Sequence, residues 1–424
     1  MQNARRSDAA FADDAGENMK IFKINENTDF SELCKHIGPR ACGKTIMQKK
    51  SHIYFFYIED IKAPAANILK QDALSIGAEL VCNENVIFGE KSSNAVLMAT
   101  EAQIEILAKK ESMQDFGLKE LGKFLKTEFK KPQKALIMGV VNVNNDSFNP
   151  ASRVSQNEAI KRIEKFITDG ADYIDLGGVS SRPGSEYCGR DEEFSRIKSV
   201  IDEIYTNNLH EKVKFSLDSF DEYCLEYALN KGFKMINDIS GKISLCSLAK
   251  KYDAEYCLMH MQGDPKNMQK APKYDDLLAE IDEFFSTKLN EIAQNFGGIR
   301  AYENGEFLEA ADEIPANFSN IFTKNGIKIF LDPGIGFGKS MPQNMLLIKH
   351  LSHFLHFSLP LFVGASHKQM INFYSPSKVE DRTAGSLYLH YQAFLDGATI
   401  IRTHDVYEHK QFFDMVNAMK NITI

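Results

Sequence analysis

Short apolar runs recur between about residue 134 and the end of the chain, and an amphipathic stretch follows each of them. The eight runs are ALIMGVVNV (135–143), ADYIDLGG (171–178), VKFSLDS (213–219), KMINDIS (234–240), AEYCLMHM (254–261), IKIFLDPG (327–334), PLFVGASH (360–367) and TIIRTHD (399–405). The stretches between them, such as EAIKRIEKFITDG, place apolar residues at helical spacing. Eight strands that alternate with helices predict an α/β fold, a (β/α)8 TIM barrel. Residues 297–325 interrupt the alternation and predict an insertion at the bottom of the barrel.

A second pattern of alternating elements precedes the barrel. Possible strands (MKIFKIN, HIYFFYIED, AELVCNENVIFGE, NAVLMA) alternate with helical stretches (AANILKQDALSIG, TEAQIEILAKKE, LKELGKFLKTEF). They predict a small α+β domain over residues 19–130, in which no group of catalytic residue types stands out. The basic segment FKKPQK marks the boundary to a barrel over residues 131–424. Residues 1–18 are interpreted as a disordered leader or an added tail.

The composition is that of an ordinary soluble protein, with 43% hydrophobic and 25% charged residues over 424 positions. A net charge of −8 and a pI near 5.8 argue against a general nucleic-acid-binding surface. No apolar run is long enough to span a bilayer. The seven cysteines form no CxxC pair and no zinc-type spacing, which favours a reducing, cytoplasmic compartment.

Polar side chains stand at the carboxyl end of every predicted barrel strand. They are Asn142, Asp175, Asp218, Asn237 with Asp238, His260, Asp332, Ser366 with His367 and Lys368, and Arg402 with His404. Any one of them could be a structural residue whose hydrogen bonds are satisfied. Because the carboxyl ends of the strands meet at one rim of a closed barrel, all of them together predict a single active-site pocket.

Residue type divides these side chains into two groups. Arg402 and His404 on the last strand, with Asn142 on the first, suit an anion, and the phosphate site of this fold often lies near strands seven and eight. A second group, Asp218, Asn237 and Asp332 with Lys368, offers acceptors and an ammonium group for the edge of a flat, nitrogen-rich heterocycle. The loop GGVSSRPG after the second strand is placed to act as a lid. The combination indicates a heteroaromatic phosphate ester as substrate.

One short sequence motif suggests a different function, nucleotide binding. Gly38 to Thr45 fits the P-loop pattern GxxxxGK[ST], which binds phosphate only between a buried strand and a long helix. The preceding DFSELCKHI is not a buried strand, so we interpret the match as accidental. A near-match at 336–340, GFGKS, follows a predicted strand but has Pro333 in place of the first glycine.

The rim motifs resemble those of dihydropteroate synthase. They are MGVVNVNNDSF (138–148), GADYIDLGGVSSRPGS (170–185), SLDSF (216–220), INDISG (236–241), LMHMQGDPKNMQ (258–269), LDPGIGFGKS (331–340), VGASHK (363–368) and IIRTHDV (400–406). The resemblance covers the whole predicted barrel in order, from about residue 134 to 424, and none of residues 1–130. Several co-linear motifs make it specific.

The resemblance implies condensation of 6-hydroxymethyl-7,8-dihydropterin pyrophosphate with 4-aminobenzoate, with Mg²⁺, by a cytoplasmic homodimer and without a nucleic-acid or membrane partner. It implies that Asn142 binds the metal and pyrophosphate with Arg402 and His404, that Asp218, Asn237, Asp332 and Lys368 hold the pterin, and that Ser181, Arg182, Pro183, Phe337 and Ser366 meet the aminobenzoate. The residues expected to act in catalysis are Asp218, Lys368, Arg402 and His404. The resemblance also implies that the protein belongs to a family of sulfonamide targets.

The sequence departs from the family pattern at the loops. Asn144 and Asn145 replace the Thr-Pro of NVTPDSF, which removes a rigid φ and is expected to loosen the first loop. Val179 replaces the Glu of GGES, and His367 replaces an Arg, which is expected to weaken charge and bidentate hydrogen bonding there. No predicted pterin or phosphate ligand is lost.

Two other functions fit a pterin-binding barrel. A non-catalytic pterin-binding protein would keep the pocket and lose the loops, and the intact Asp146, Ser147, Phe148 and Arg182 argue against it. A methyltetrahydrofolate–corrinoid methyltransferase would not need the pyrophosphate set of Arg402 and His404. An assay of pyrophosphate release with both substrates separates these functions from a synthase.

Overall fold

The structure is a computed structural model that describes residues 20–26, 28–89, 91–143, 152–179, 187–263, 268, 272–303, 305–308 and 321–422. One hydrophobic core gathers residues between Ile61 and Leu125, and a second gathers residues between Ala135 and Phe413. The two cores match the predicted division into an α+β region followed by a barrel. Within the described residues, no helix is long and apolar enough to cross a membrane.

The N-terminal region is a three-stranded antiparallel sheet with helices, in the strand order β1-β3-β2. Its elements are α1 Phe30–Ile37, α2 Ala41–Gln48, β1 Ile53–Lys62, α3 Ala63–Ser75, β2 Glu79–Cys82, β3 Ser92–Thr100, α4 Glu101–Glu111 and α5 Leu118–Phe124. A capping box joins β3 to α4, because the Thr100 backbone N–H donates to Gln103 Oε1 at 2.8 Å. The predicted small α+β region is confirmed.

One strand predicted in this region is wrong. The described residues of MKIFKIN, 20–25, have no regular structure, and Ile21 and Phe22 are exposed. Alternating apolar residues stabilise a strand only where a neighbouring strand supplies hydrogen-bond partners, and the described sheet supplies none for this segment.

The barrel is closed by eight parallel strands, as the eight apolar runs predict. Around the barrel they are β4 Leu136–Asn142, β5 Tyr173–Gly177, β6 Lys214–Asp218, β7 Met235–Asp238, β8 Glu255–Met259, β11 Lys328–Asp332, β12 Leu361–Val363 and β13 Ala398–Thr403. β13 pairs with β4, which closes the ring. The interior is filled by side chains such as Met138, Cys257 and Phe330, so the barrel is a packed core and the open space lies at its ends.

Helices surround the strands and present apolar faces to them. They are α6 Ser152–Thr168, α7 Arg190–Thr206, α8 Glu222–Asn230, α9 Cys246–Lys251, α10 Leu277–Phe296, α11 Met341–Lys349, α12 Gln369–Tyr374, α13 Thr383–Leu395 and α14 Val406–Asn421. In α10, Ile281, Phe285, Leu289 and Ile292 recur every three or four residues and are buried against the barrel.

The insertion between α10 and β11 packs against the barrel interior, at the end opposite the carboxyl rim. Its described residues include a hairpin of β9 Tyr302–Glu303 and β10 Glu306–Phe307. Phe307 packs edge-on against Phe330, with 5.4 Å between ring centroids. The predicted bottom location therefore agrees with the structure, and the hairpin covers the apolar interior at that end.

The N-terminal region contacts the barrel through its last helix and the following segment. Phe124 packs against Phe129 and against His356, with 5.3 Å between the Phe124 and His356 ring centroids. Lys130 Nζ lies 2.7 Å from Glu303 Oε1 in the insertion hairpin. This contact lies away from the strand ends that carry the predicted active site.

Candidate active site

Four strand ends at the carboxyl rim stand in direct register. Asn142 is level with Gly177, Gly177 with Asp218, and Asp218 with Asn237. A Cβ at Gly177 would lie 3.1 Å from Asn142 Oδ1, a tight contact that the Asn142 amide would have to shift to relieve. The absence of a side chain on β5 lets the Asn142 amide and the Asp218 carboxylate reach into the same space.

Arg402 connects two buried carboxylates across the rim. Its Nε donates to Asp175 Oδ2 at 2.7 Å, and its Nη2 donates to Asp218 Oδ2 at 2.8 Å. Asp175 is fully buried, and Asp218 nearly so. Two carboxylates removed from water need a cation with several donors in a fixed plane, which a guanidinium provides. Arg402 was predicted as an anion ligand with His404; in this structure two of its three guanidinium nitrogens, Nε and Nη2, bind protein carboxylates.

The Asn237 side chain is oriented by the same carboxylate. Its Nδ2 donates to Asp175 Oδ2 at 2.9 Å, and an ionised carboxylate can only accept, so the amide must present its nitrogen there. Its oxygen is thereby left to accept from another donor. Within the described residues, Asp175 Oδ1 is buried and has no hydrogen-bond partner. Most buried polar atoms in proteins have a hydrogen-bond partner. An unpartnered carboxylate oxygen at the rim is therefore a candidate ligand-binding atom.

Asp332 and Lys368 form the second charged part of the rim. Asp332 Oδ1 accepts the Gly334 backbone N–H at 2.7 Å, which fixes the carboxylate at the end of β11. Gly334 has φ +72°, and a Cβ there would lie 1.9 Å from the His260 carbonyl oxygen, so only glycine fits. Lys368 Nζ lies 4.4 Å from the centroid of the Phe337 ring, a cation–π contact.

Burial shifts the ionisation of these groups toward neutral pH. Burial raises the pKa of Asp218 to about 7, and the Arg402 charge opposes that rise. Burial likewise raises the pKa of Asp332 to about 6, against the Gly334 hydrogen bond and the Lys368 charge. Burial together with Arg402 lowers the pKa of Lys368 to about 8. Groups that titrate near neutrality in one pocket are typical of active sites.

His404 and Ser366 are joined on the other side of the rim. Ser366 Oγ accepts the His404 backbone N–H at 3.2 Å and lies 3.0 Å from His404 Nδ1. Burial, with the nearby Arg402 charge, lowers the pKa of His404 to about 3, so the ring is neutral. If the serine hydroxyl donates to Nδ1, the ring carries its proton on Nε2 and can donate it to a bound anion.

A pair of buried histidines fixes the loops behind this contact. The Ala365 N–H donates to His390 Nε2 at 2.8 Å, so His390 carries its proton on Nδ1 and donates to His409 Nε2 at 2.7 Å. His409 Nδ1 lies 2.7 Å from the Asp405 carbonyl oxygen. Burial lowers the pKa of both histidines, which keeps them neutral and the chain of donors intact.

His367, which replaces an arginine of the family pattern, is held between two oxygens. Its Nε2 lies 2.6 Å from Asp405 Oδ2 and its Nδ1 lies 2.6 Å from the Val379 carbonyl oxygen. Both ring nitrogens face oxygen atoms. His367 therefore connects the loops after β12 and β13.

The two segments that match or nearly match the P-loop pattern have structural explanations. Gly38 ends α1 in the left-handed conformation, and Lys44 and Thr45 lie within α2. A helix and not a strand therefore directly precedes the motif, which agrees with its interpretation as an accidental match. Lys339, in the near-match at 336–340, is fully buried. Its Nζ donates to the Gly334 and Phe337 carbonyls at 3.1 and 2.9 Å. Lys339 therefore stabilises the loop after β11 by hydrogen bonds on its buried side.

The structure thus brings most of the predicted site residues to one rim. Asn142, Asp218, Asn237, Asp332, Phe337, Ser366, Lys368, Arg402 and His404 all lie at or just beyond strand ends. The predicted aminobenzoate residues Ser181, Arg182 and Pro183 lie outside the described residues, as do Asn144 to Phe148.

Two residues of the site were not assigned a role from the sequence. Asp175 was expected at a strand end but without a function, and Lys339 was noted only within the P-loop near-match. Alternation along β5 was the available signal for Asp175, since it places Asp175 on the same interior face as Tyr173.

Comparison with known proteins identifies the barrel. The sequence pattern of the family described as pterin binding enzyme matches residues 138–302 and 309–404. Dihydropteroate synthase of Escherichia coli (strain K12) is 35% identical over 285 residues, which are 66% of this chain and 90% of that protein. The Yersinia pestis dihydropteroate synthase in a sulfonamide drug complex superimposes with a TM-score of 0.56 at 32% identity, covering 70% of this chain and 96% of that one.

A further relative extends through the N-terminal region. The bifunctional dihydropteroate synthase/dihydropteroate reductase of Helicobacter pylori is 35% identical over 409 residues, which are 95% of this chain and 99% of that protein. The similarity to it therefore spans both regions of the chain, whereas the similarity to the E. coli protein covers a length close to that of the barrel.

Proposed function

We propose, since the chain belongs to the pterin binding enzyme family, that it is a dihydropteroate synthase. The reaction joins 6-hydroxymethyl-7,8-dihydropterin pyrophosphate to 4-aminobenzoate. The bond between the pterin methylene carbon and the ester oxygen breaks, pyrophosphate leaves, and the amine nitrogen bonds to the methylene carbon and loses a proton. The observation that carries the proposal is the rim cluster of Arg402 with Asp175 and Asp218, beside Asp332 and Lys368.

The pterin is proposed to bind among Asp218, Asn237, Asp332 and Lys368. The ring presents N–H donors on one edge, and Asp332 and Asp218 are acceptors fixed by the Gly334 N–H and by Arg402. The Asn237 amide is already oriented by Asp175 and needs no reorganisation on binding. Lys368 supplies the donor for a carbonyl or ring nitrogen of the pterin.

The pyrophosphate is proposed to bind on the Asn142 and His404 side. Neutral His404 can donate a hydrogen bond to a phosphate oxygen, and Arg402 adds positive potential from a guanidinium that also binds Asp175 and Asp218. The Asn142 side-chain oxygen is a hard ligand that suits Mg²⁺, which takes its other ligands from substrate phosphates and water. The bound ion would neutralise the charge that grows on the leaving group.

The chain's own charges favour a dissociative reaction. As the ester bond breaks, positive charge develops on the pterin methylene. Four carboxylates, Asp175, Asp218, Asp238 and Asp332, face three cations, Arg402, Lys339 and Lys368, so the rim is net negative when all are ionised. Fixed carboxylates in a buried site stabilise such a cation without reorganisation, and no covalent nucleophile is required.

The aminobenzoate is proposed to meet Phe337 and Ser366, with Ser181, Arg182 and Pro183 from the loop after β5. The Phe337 ring centroid lies 4.4 Å from the ammonium of Lys368, a residue of the proposed pterin site. Contacts from loops are expected to close on the substrate only after the pterin ester has bound.

A coupled assay of pyrophosphate release tests the proposal. The full-length protein with Mg²⁺ and both substrates should release pyrophosphate and form dihydropteroate in equal amounts, and a sulfonamide should compete with aminobenzoate. Pterin binding without turnover would indicate a non-catalytic binding protein. Methyl transfer from methyltetrahydrofolate to a corrinoid, without pyrophosphate release, would indicate the methyltransferase.

A second candidate activity is reduction of dihydropteroate, and the alignment with the H. pylori protein over 95% of the chain favours it. Reduction of the product ring needs a hydride donor such as a reduced nicotinamide or flavin. The test supplies dihydropteroate with each donor in turn and measures tetrahydropteroate. Loss of this activity alone on deletion of residues 1–130 would assign it to the N-terminal region.

The chain is proposed to form a homodimer in the cytoplasm. Exposed aromatic side chains Phe373, Tyr374, Tyr388 and Tyr407 on α12, α13 and α14 support a homodimer through these helices, which light scattering would test. The seven cysteines are all free thiols, which supports a cytoplasmic location.

A further inference from the structure

Two histidines and an aspartate converge outside the barrel, where the N-terminal region contacts it. Asp282 lies on α10, and His353 and His356 lie on the 3₁₀ helix Leu351–Phe357. His353 Nε2 lies 3.1 Å from Asp282 Oδ1, and His356 Nε2 hydrogen-bonds the same oxygen. Among the residues that the structure describes, this is the one group of three ligand-type side chains placed to share an ion.

The local helix type favours the convergence. Side chains three residues apart are eclipsed in a 3₁₀ helix, whereas in an α-helix they are offset by about 60° around the axis. The ring centroids of His353 and His356 are consequently 5.2 Å apart, and both rings present Nε2 to α10. The three ligand atoms lie within 4.8 Å of one another. Small rotations of the rings bring all three to about 2.1 Å from one ion.

We propose that Asp282, His353 and His356 form a binding site for a divalent transition-metal ion, with Zn²⁺ as its representative. Two imidazoles and one carboxylate are a donor set for zinc and its neighbours, whereas Mg²⁺ prefers oxygen ligands. The site is therefore chemically distinct from the magnesium site proposed at Asn142. It is also independent of the proposed synthase reaction, because none of its residues lies at a strand end.

Access and ligand geometry both allow an ion to enter. The side chains of His353, His356 and Asp282 are 29%, 14% and 27% exposed, so an aqueous ion can reach them and keep water as a fourth ligand. Without an ion, the two Nε2–H groups can donate to one carboxylate oxygen. On binding, each proton moves to Nδ1 and the Nε2 lone pair faces the ion, with no net change in protonation.

The position of the site suggests what the ion does. The Phe124 ring at the end of α5 lies 6.3 Å from the His353 ring and 5.3 Å from the His356 ring. Fixing both imidazoles to α10 would fix the surface on which Phe124 packs. The ion would therefore strengthen the contact between the N-terminal region and the barrel, rather than take part in chemistry at the rim.

Cobalt titration of the full-length, metal-free protein tests the proposal. Co²⁺ should bind once per chain with a tetrahedral absorption spectrum that lacks thiolate charge-transfer bands, and Zn²⁺ should displace it. His353→Gln and His356→Gln should each weaken binding about a hundredfold or more. His350→Gln, a neighbouring histidine outside the cluster, is the matched control and should bind like the wild type. Zn²⁺ should raise Tm in the wild type and the control only.

A measurement on the unaltered protein covers the case in which a variant does not fold. Zn²⁺ should protect two histidines, identified as His353 and His356 by peptide mapping, from acylation by diethylpyrocarbonate. Absence of stoichiometric binding, thiolate bands in the cobalt spectrum, or acylation unchanged by Zn²⁺ would each overturn the proposal. Synthase turnover with Mg²⁺ is expected to be the same with and without Zn²⁺, which keeps this test separate from that of the proposed function.

Discussion

The strands β5 and β6 carry charged or polar interior groups at both ends, and the two ends differ. At the carboxyl rim, β5 ends near Asp175 and β6 at Asp218, and both carboxylates bind Arg402. At the opposite end, Tyr173 of β5 and Lys214 of β6 point into the same barrel. Along β5, Asp175 in the candidate active site and Tyr173 in the network at the opposite end are therefore only two residues apart.

The opposite end forms a small network of three side chains. Lys214 Nζ donates to Glu255 Oε1 at 2.8 Å and to the Tyr173 hydroxyl at 3.0 Å, and the tyrosine donates to the same carboxylate oxygen at 3.2 Å. There one carboxylate meets one ammonium. At the rim the carboxylates outnumber the cations. Each end has one buried carboxylate oxygen without a hydrogen-bond partner among the described residues, Asp175 Oδ1 at the rim and Glu255 Oε2 at the opposite end.

Buried charge alone therefore does not mark a site. A carboxylate balanced by one ammonium fills a structural need, whereas an excess of carboxylates whose pKa values are raised by burial is prepared for a ligand. The two ends should respond differently to substitution. Rim variants should lose ligand binding and turnover, and variants at the opposite end should lose only stability.

Removal of Arg402 should have the largest effect. Arg402→Met leaves Asp175 and Asp218 buried without their cation, which costs about 3–5 kcal/mol of unfolding free energy. Turnover should fall more than about a hundredfold. Urea unfolding and kcat/KM measure the two losses, and adding Asp175→Asn should restore part of the stability. Unchanged stability in Arg402→Met would show that the carboxylates do not depend on it.

The pH dependence of kcat/KM should be bell-shaped. Asp332 accepts from the pterin only when ionised, and its pKa is raised to about 6, so activity should fall below that pH. Lys368 donates as an ammonium, and its pKa is lowered to about 8, so activity should fall above that pH. Each limb should approach about tenfold per pH unit, with apparent values that belong to the cluster including Asp218.

A lysine variant tests the assignment of the alkaline limb. Lys368→Arg keeps the charge at all accessible pH values, so its alkaline limb should move to a pH at least about one unit higher, even if activity is lower overall. An alkaline limb that stays near pH 8 in this variant would assign it to another group.

Substrate coupling should be smaller. Aminobenzoate affinity should rise at least about tenfold, roughly 1.4 kcal/mol, when pterin pyrophosphate, or pyrophosphate with Mg²⁺, is bound. Calorimetry with and without these ligands measures the coupling. Arg182→Ala should weaken it and spare pterin binding, whereas Arg190→Ala, at the start of α7, is the matched control. Equal aminobenzoate affinity under both conditions would mean a preformed pocket.

The smallest effect should come from the opposite end of the barrel. Glu255→Gln keeps the shape of the side chain and weakens its bonds to Lys214 and Tyr173, at a cost of about 1 kcal/mol in unfolding free energy. Its kcat/KM should stay within about twofold of the wild type. A large loss of turnover with normal stability would remove the distinction between the two ends.

The barrel could be predicted because its strands are buried on both faces. Each strand is then a continuous apolar run, and the polar residues that end the runs are the ones that the fold collects at the rim. The partner of Arg402 could not be predicted in the same way. Its bonds to Asp175 and Asp218 join β13 to β5 and β6, positions about 180 to 230 residues apart that only barrel closure makes adjacent.

Short elements of the N-terminal region were harder to predict. The run AELVCNENVIFGE forms a strand only over Glu79–Cys82, because the Asn83 side chain accepts the Asn85 N–H and starts a 3₁₀ helix. The accidental P-loop match shows the same limit, since its first glycine serves to end a helix. Local hydrogen bonds of this kind depend on single residues and leave the apolar pattern unchanged.

The most direct test of the difference between the two ends is calorimetric titration of a pterin ligand into two carboxyl-to-amide variants. Asp332→Asn alters the rim and Glu255→Gln the opposite end, and both remove one buried negative charge without changing side-chain size. We expect Asp332→Asn to lower pterin affinity about a hundredfold, from the loss of charge-assisted bonds worth up to about 3 kcal/mol, and Glu255→Gln to bind like the wild type. Wild-type pterin affinity in Asp332→Asn would contradict a pterin site at the rim.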